Sequence, residues 1–231
     1  MLELALLILG AYFLGSVPFG LLVGKLKGID VRSAGSGNIG ATNVGRLLGK
    51  RYFWLVFALD AAKGAAPMLL GHFLVRNLPE SSLKYVLWLL AGLAALLGHV
   101  FPIYLRFKGG KGVATALGVM LGVWPYYTIT AIPAVSLFIG VFAASRYISL
   151  SSVVGALIFP VILLATGWVF GWRLLEFRWP LVAFSVLIGL LIIWRHRANI
   201  ARLRAGTEPR FGAKSASPPA GVPAGDAESA E

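Results

Sequence analysis

Long apolar runs fill most of this 231-residue chain, at about Leu2–Val23, Tyr52–Val75, Tyr85–Tyr104, Val113–Val123, Tyr126–Ala144, Ile148–Phe170 and Leu181–Trp194. A helix needs roughly 20 apolar residues to cross the hydrocarbon core of a bilayer. The fourth and seventh runs are short, so their helices are expected to extend into flanking polar residues. The pattern predicts an all-α integral membrane protein with seven transmembrane helices. Composition agrees: 58% of residues are hydrophobic and only 13% are charged, against about 25% in a soluble domain. The N-terminus, Met1-Leu2-Glu3, lacks the basic region of a signal peptide, so the first run is read as a retained span.

Seven spans put the termini on opposite sides, and the positive-inside rule selects which. With the N-terminus outside, the cytoplasmic side receives Lys25, Lys27, Arg32, Arg46, Lys50, Arg51, Arg106, Lys108, Lys111 and Arg146. The C-terminal stretch adds Arg195, Arg197, Arg202, Arg204, Arg210 and Lys214, while only Arg76, Lys84, Arg173 and Arg178 fall outside. Residues 1–212 read as one membrane domain. Residues 213–231, rich in Ala, Pro, Gly and Ser, read as a disordered cytoplasmic tail. The net charge of +12 is spread beside the spans rather than over one soluble face, so membrane lipid, not nucleic acid, is the expected partner.

Three polar stretches on the cytoplasmic side carry the chemistry. GSGNIGATN (Gly35 to Asn43, then Arg46) has the spacing G-x-G-x-x-G, but a membrane span precedes it and Asp60 lies inside the next span. A dinucleotide fingerprint needs a βαβ setting, and a Walker A loop needs Lys and Ser or Thr where Ala41 and Thr42 stand. What remains is a polar loop offering backbone amides and the side chains of Ser36, Asn38, Thr42 and Asn43, with Gly37 among its glycines. A plain connecting loop would need less polar machinery. RFKGGKGVAT (Arg106 to Thr115) precedes the short fourth span. If that helix begins near Gly110 or Lys111, its free amides and positive dipole end favour a phosphate, which Lys111 neutralises. Gly109, Gly110 and Gly112 permit close approach.

The third stretch, RHRANIARLRAGTEPR (Arg195 to Arg210), follows the seventh span. His196 and Asn199 would share a face of a continuing helix. His196 is a candidate to donate a hydrogen bond to a phosphate or to act as a base, and a basic helix lying on anionic lipid is the alternative. Asp60 and Lys63, three residues apart inside the second span, are expected to pair in support of the first loop. Ser149 either lines the site or caps its helix.

The chain has no cysteine, no carboxylate cluster for a metal and no His-x4-Asp signature, so neither metal nor other cofactor is expected. Chemistry must rest on positioning and electrostatics. A transporter of organic phosphates, or a lipid-binding scaffold, would also use basic residues. A transporter, however, needs polar groups at mid-membrane or toward both sides, and the outer loops are nearly bare.

The order GSGNIGATN…R, DAAKG, GHVFPIYLRFKGGKGVAT and RHRANIARLRAGTE resembles the bacterial acyl-phosphate:glycerol-3-phosphate acyltransferases, over Leu2 to Gly212. The resemblance implies a seven-span enzyme of the bacterial inner membrane, N-terminus out, with its active site facing the cytoplasm. It implies acyl transfer from acyl phosphate to glycerol 3-phosphate, giving lysophosphatidic acid and phosphate in the first step of phospholipid synthesis. The upstream enzyme that makes acyl phosphate is an implied partner. Ser36 and Arg46 would belong to an essential first motif. Gly109, Gly110 and Gly112 would cradle the acyl phosphate beside Lys111, His196 and Asn199 would bind glycerol 3-phosphate, and Glu208 would brace the cytoplasmic loop. Thr42, Asn43 and Ser149 match family positions too. Either a substrate phosphate or His196 would serve as the base.

Overall fold

The computed structural model describes residues 1–212; the tail expected to be disordered lies outside the described residues. Those residues fold as ten α-helices: α1 (Leu2–Ser16), α2 (Phe19–Leu26), α3 (Ala41–Leu48), α4 (Lys50–Val75), α5 (Ser82–Val100), α6 (Val113–Gly122), α7 (Tyr126–Ser145), α8 (Ile148–Val169), α9 (Trp179–Arg195) and α10 (Arg197–Arg204). There is no strand among them. Five segments are long and apolar enough to span: α1 with α2, α4, α5 with the turn after it, α7 and α8. The bent pair α9–α10 makes a sixth if taken as one span, and α6 has only ten residues.

Three runs end differently from the sequence expectation. The first is broken at Val17, which is extended (φ −62°, ψ 116°) ahead of Pro18, because the proline ring crowds a helical residue before it. The carbonyl freed there accepts a 2.8 Å hydrogen bond from Lys63 Nζ. Lys63 also pairs with Asp60 at 2.8 Å, and both side chains are almost fully buried. The two charges inside α4 are thus compensated by each other and by the break. The fourth run does not extend into the polar stretch: α6 starts only at Val113, because Gly112 is left-handed at φ +83°, where a glycine suffers no Cβ clash. The seventh stops at Arg195, and α10 departs at 58°, so His196 and Asn199 sit in the first turn of a separate helix, with His196 as its N-cap, rather than on a continuation of α9.

Small residues let the helices meet backbone to backbone, as they do in membranes. A Cβ on Gly15 would run into the Ala95 backbone, and one on Gly98 into Tyr12 and Ser16, so α1 lies tightly along α5. Gly118 abuts Ala61 and Gly122 abuts Met68, so α6 runs parallel to α4. In that register Val113 lies about two turns along α4 from Lys50, roughly 10 Å. The bundle core gathers Met68, Trp88, Leu96, Val119, Tyr127, Leu163 and Leu181. At the end where α4 overhangs α6, a second apolar cluster forms a cap. Leu21 of α2, Val31 and Ile39 of the first loop, Val44 of α3 and Val56 of α4 make it.

The opposite end is closed by a polar network that the sequence reading did not anticipate. Arg178 Nε donates to Tyr85 Oη at 3.0 Å and Tyr126 Oη at 2.9 Å, and Nη1 to the Trp172 carbonyl at 2.8 Å. Tyr85 donates in turn to Glu80 at 2.7 Å, so the half-buried Arg178 and the buried Tyr85 hydroxyl both find partners.

Candidate active site

The first loop is tied from within by Asn43. This buried amide donates to the carbonyls of Val31 at 2.8 Å and Ala34 at 3.1 Å. It also accepts from the Ser36 N–H at 2.8 Å. Gly35 and Gly37 take φ of +61° and +66°, and Asn38 Oδ1 accepts from the Gly40 N–H at 2.9 Å. The loop therefore turns about Asn43 and leaves Ser36 exposed. Asn43 faces the loop rather than a ligand. Thr42, on the first turn of α3, makes no side-chain hydrogen bond among the described residues.

The second loop uses its glycines otherwise than the sequence suggests. The Gly109 N–H donates to the Val100 carbonyl at 3.2 Å and the Gly110 N–H to the His99 carbonyl at 3.1 Å. Their own carbonyls accept from Arg195, at 2.7 Å on Gly109 and 3.1 Å on Gly110. Both glycine amides are consumed. They are glycine because the chain lies flat on α5: a Cβ on Gly110 would strike the His99 ring, and one on Gly109 the His99 and Val100 carbonyls. The amides left for an anion are those of Lys111, Gly112 and the first turn of α6, which have no partner among the described residues. Four orphan N–H groups and the positive end of the dipole are the ordinary anion-binding equipment of a helix start.

Lys111 stands beside that helix start. Burial, against the opposing pull of Glu208, brings its ammonium down to about 8, and Arg202, Arg46 and Arg195 press the same way as burial. Burial likewise lowers the Arg46 guanidinium, with Glu208 opposing. Glu208 is thus the common counter-charge. Its Oε1 accepts from Asn199 Nδ2 at 2.6 Å and Ser149 Oγ at 2.7 Å, and its Oε2 from Arg202 Nε at 2.8 Å. Burial alone would raise its carboxyl, but those three bonds and the Arg202 charge outweigh it and hold Glu208 below the ordinary glutamate range. Ser149 does not cap α8, whose N-cap is Tyr147.

His196 sits at the α9–α10 bend, 2% exposed, with Nδ1 2.8 Å from the Ile192 carbonyl. Burial and then the nearby Lys111 charge bring its pKa to about 4, so the ring is neutral at pH 7. A carbonyl only accepts, so Nδ1 carries the proton and Nε2 presents a lone pair. In that state His196 accepts a hydrogen bond from a hydroxyl and cannot donate one to a phosphate.

The three sequence stretches converge. A cleft of about 390 Å³ is lined by Arg32, Gly37 and Asn38 of the first loop, Lys108 and Gly109 of the second, and Arg195 at the end of α9. Arg46, Lys111, Asn199, Arg202 and Glu208 cluster through the contacts above. Asp60 and Lys63 stand behind Gly110 rather than in the cleft: His99, whose ring backs Gly110, has Nδ1 3.7 Å from Asp60. The pair supports the first-span break and the back of the second loop more directly than the first loop. Sequence reasoning treated Arg32, Arg195 and Lys108 mainly as topology markers; their clustering with the glycine motifs was the available signal.

The glycerol-3-phosphate acyltransferase family model matches residues 5–206. The glycerol-3-phosphate acyltransferase of Geotalea daltonii is 45% identical over 206 residues, covering 89% of this chain and 96% of its own. A crystal structure of PlsY, an integral membrane glycerol 3-phosphate acyltransferase in its glycerol 3-phosphate form, superposes with a TM-score of 0.79 at 41% identity. It covers 91% of this chain and 96% of its own. The lysophosphatidic acid form of PlsY gives 0.77 at the same identity and coverage.

Proposed function

This chain belongs to the glycerol-3-phosphate acyltransferase family and is an integral membrane acyltransferase, and from that premise we propose that its donor is an acyl phosphate, its products being lysophosphatidic acid and inorganic phosphate. The observation that carries the reading is the gathering of Arg46, Lys111 and Arg202 about a single carboxylate, Glu208, with Arg195 closing on the glycine loop next to Lys111, beside the open start of α6. Four cations against one anion leave charge for phosphorylated reactants. In this reading residues 1–212 form the catalytic domain, spanning a bacterial inner membrane seven times when α6 and α9 are counted, with the N-terminus outside. The 213–231 segment is a cytoplasmic tail that catalysis does not need. The basic end faces the cytoplasm, in keeping with the positive-inside bias, and no cofactor takes part.

Both substrates bring phosphate; the donor also brings an acyl chain. The seam between α5 and α9, whose basic end is the Arg195–Gly109 contact, is grooved along Leu89, Leu93 and Phe184, with a volume of about 180 Å³. The groove occupies the half of the seam away from that contact, running past Trp179 and Pro180, and so suits the distal part of the acyl chain. The C1 hydroxyl oxygen of glycerol 3-phosphate forms a bond to the acyl carbonyl carbon, the bond from that carbon to the phosphate oxygen breaks, and phosphate leaves. Lys111 and the free amides of α6 stabilise the developing oxyanion and the departing phosphate. Ser36 and Arg46, with the loop held by Gly37, Asn38 and Asn43 and with Thr42 on the first turn of α3, complete the anion site, and Asn199 and Ser149 hold Glu208. His196, with a pKa of about 4, is a weak base, so the hydroxyl proton passes to a substrate phosphate oxygen while His196 Nε2 orients the hydroxyl. The enzyme that makes acyl phosphate upstream is the natural partner.

The test is purified protein in detergent given palmitoyl phosphate and glycerol 3-phosphate. Release of inorganic phosphate with formation of lysophosphatidic acid supports the reading. Turnover with acyl-CoA and none with acyl phosphate refutes the donor.

A further inference from the structure

After α10 the chain turns back across the basic end of the bundle. Gly206, left-handed at φ +70°, makes the reversal, and the Thr207 N–H donates to the Arg202 carbonyl at 2.9 Å. From there each residue lands on a different element. Glu208 takes donors from α8 and α10, as above. The Pro209 carbonyl accepts from Arg46 Nη2 of α3 at 3.3 Å. Arg210 donates to Tyr147 Oη at 3.4 Å, and its guanidinium lies 5.6 Å from that ring's centre. The Phe211 N–H donates to the Arg146 carbonyl at 2.9 Å. The Phe211 ring meets Phe53 of α4 and Phe142 of α7 edge to face, with centroids 5.7 Å and 5.8 Å apart. Phe211 is thus the apolar anchor of an otherwise polar strap. It lies beyond residues 5–206, where the family model matches.

We propose that Phe211 is a positioning residue for the anion site. Wedged between α4 and α7, it clasps the strap so that Pro209 and Glu208 present the acceptors that aim Arg46 and Arg202 at a phosphate. The physical reason is entropic. Without an anchor, Glu208 and Pro209 would hang on a segment that starts from a glycine turn and has little apolar surface to bury, so the acceptors would be in place only part of the time. Ligand affinity then falls by that fraction. The clasp itself follows from the geometry; its consequence for phosphate binding rests on the function proposed above.

The full-length protein in detergent, with Phe211→Ala, Phe211→Tyr and Phe142→Ala, separates the two. Hydrogen exchange at the Thr207, Glu208 and Phe211 amides reads the clasp without reference to activity. It should speed up in Phe211→Ala and Phe142→Ala while amides in the middle of α9 are unchanged. Unchanged exchange at the strap would overturn the clasp. Calorimetric titration with glycerol 3-phosphate reads the consequence. If the unclasped strap is in place about a tenth of the time, Kd rises about tenfold in Phe211→Ala, and Phe211→Tyr restores it to within about twofold. The same Phe211→Ala change made in an Arg46→Ala background should weaken binding by clearly less than in the wild-type background, because part of the effect runs through Arg46 and only the Arg202 part remains. A faster-exchanging strap with wild-type Kd, or a full additive loss in the Arg46→Ala background, would overturn the positioning role. Failure of the wild-type protein to turn over acyl phosphate would sink the donor assignment alone, leaving the exchange result to stand.

Discussion

The ammonium of Lys111 is brought down to about 8 by burial, and this gives the proposed chemistry a pH signature. In the free enzyme a group of pKa about 8 is roughly nine-tenths protonated at pH 7 and one-tenth at pH 9, so kcat/KM should fall about tenfold over that interval. The substrates do not contribute to this limb, since the second ionisation of a phosphate monoester, near pH 6, is complete before it begins. Glu208 is held low and His196 near 4, so neither titrates there. A bound phosphate beside the ammonium favours its charged form, so the limb in kcat should lie at higher pH than the limb in kcat/KM. Lys111→Arg keeps a cation that does not deprotonate in this range and should flatten the limb even where its absolute rate is lower. The assay is initial phosphate release at subsaturating glycerol 3-phosphate from pH 6.5 to 9.5, corrected for spontaneous hydrolysis of the acyl phosphate. A wild-type profile flat to pH 9.5, or an equal limb in Lys111→Arg, would refute the assignment.

Three further outcomes follow from contacts described above. Gly110→Ala should drive the loop off the His99 ring and cost about a hundredfold in kcat/KM, the order expected for a displacement near 1 Å; adding His99→Ala should recover part of it, and no recovery would show that the collision is not the cause. Glu208→Gln, measured by chemical denaturation, should lower stability by about 1–3 kcal/mol at pH 7, since a hydrogen bond to a charged partner is weakened. Because the folded carboxyl lies below its ordinary value, that stabilisation is complete above the ordinary glutamate range and is lost as pH falls through the depressed folded value, so the two proteins should converge in acid. His196→Gln should keep more than about 1% of kcat, since a general base contributes roughly a hundredfold or more; a larger loss with unchanged binding of both substrates would make the histidine the base.

The apolar runs announced the membrane class, and the basic stretches announced which loops share an end, because both depend on composition within a window. Interruptions were harder to read. Pro18 was visible, but the partner that makes a break affordable, Lys63, lies 46 residues along the chain from Val17, whose carbonyl it satisfies. The shortness of α6 was legible, but its fixed start was not, since it depends on Gly109 and Gly110 lying against α5 and on Arg195 closing over them. The candidate site residues were proposed by motif. Their division of labour needed coordinates: Asn43 is turned inward, the Gly109 and Gly110 amides are already bonded, and His196 sits where the helix breaks. Arg178 and Phe211 carried no local signal, since each acts through partners from several helices.

Because α6 opens about two turns up α4, beneath the cap built on α2 and α3, a reaction at its start, as proposed above, would meet the acyl carbon below the rim of the protein rather than on its surface. On the proposed chemistry the two products then have separate exits. Free phosphate returns to water through the cleft between Asn38 and Lys108, and the lysophospholipid slides sideways into the leaflet without its tail ever being lifted from hydrocarbon.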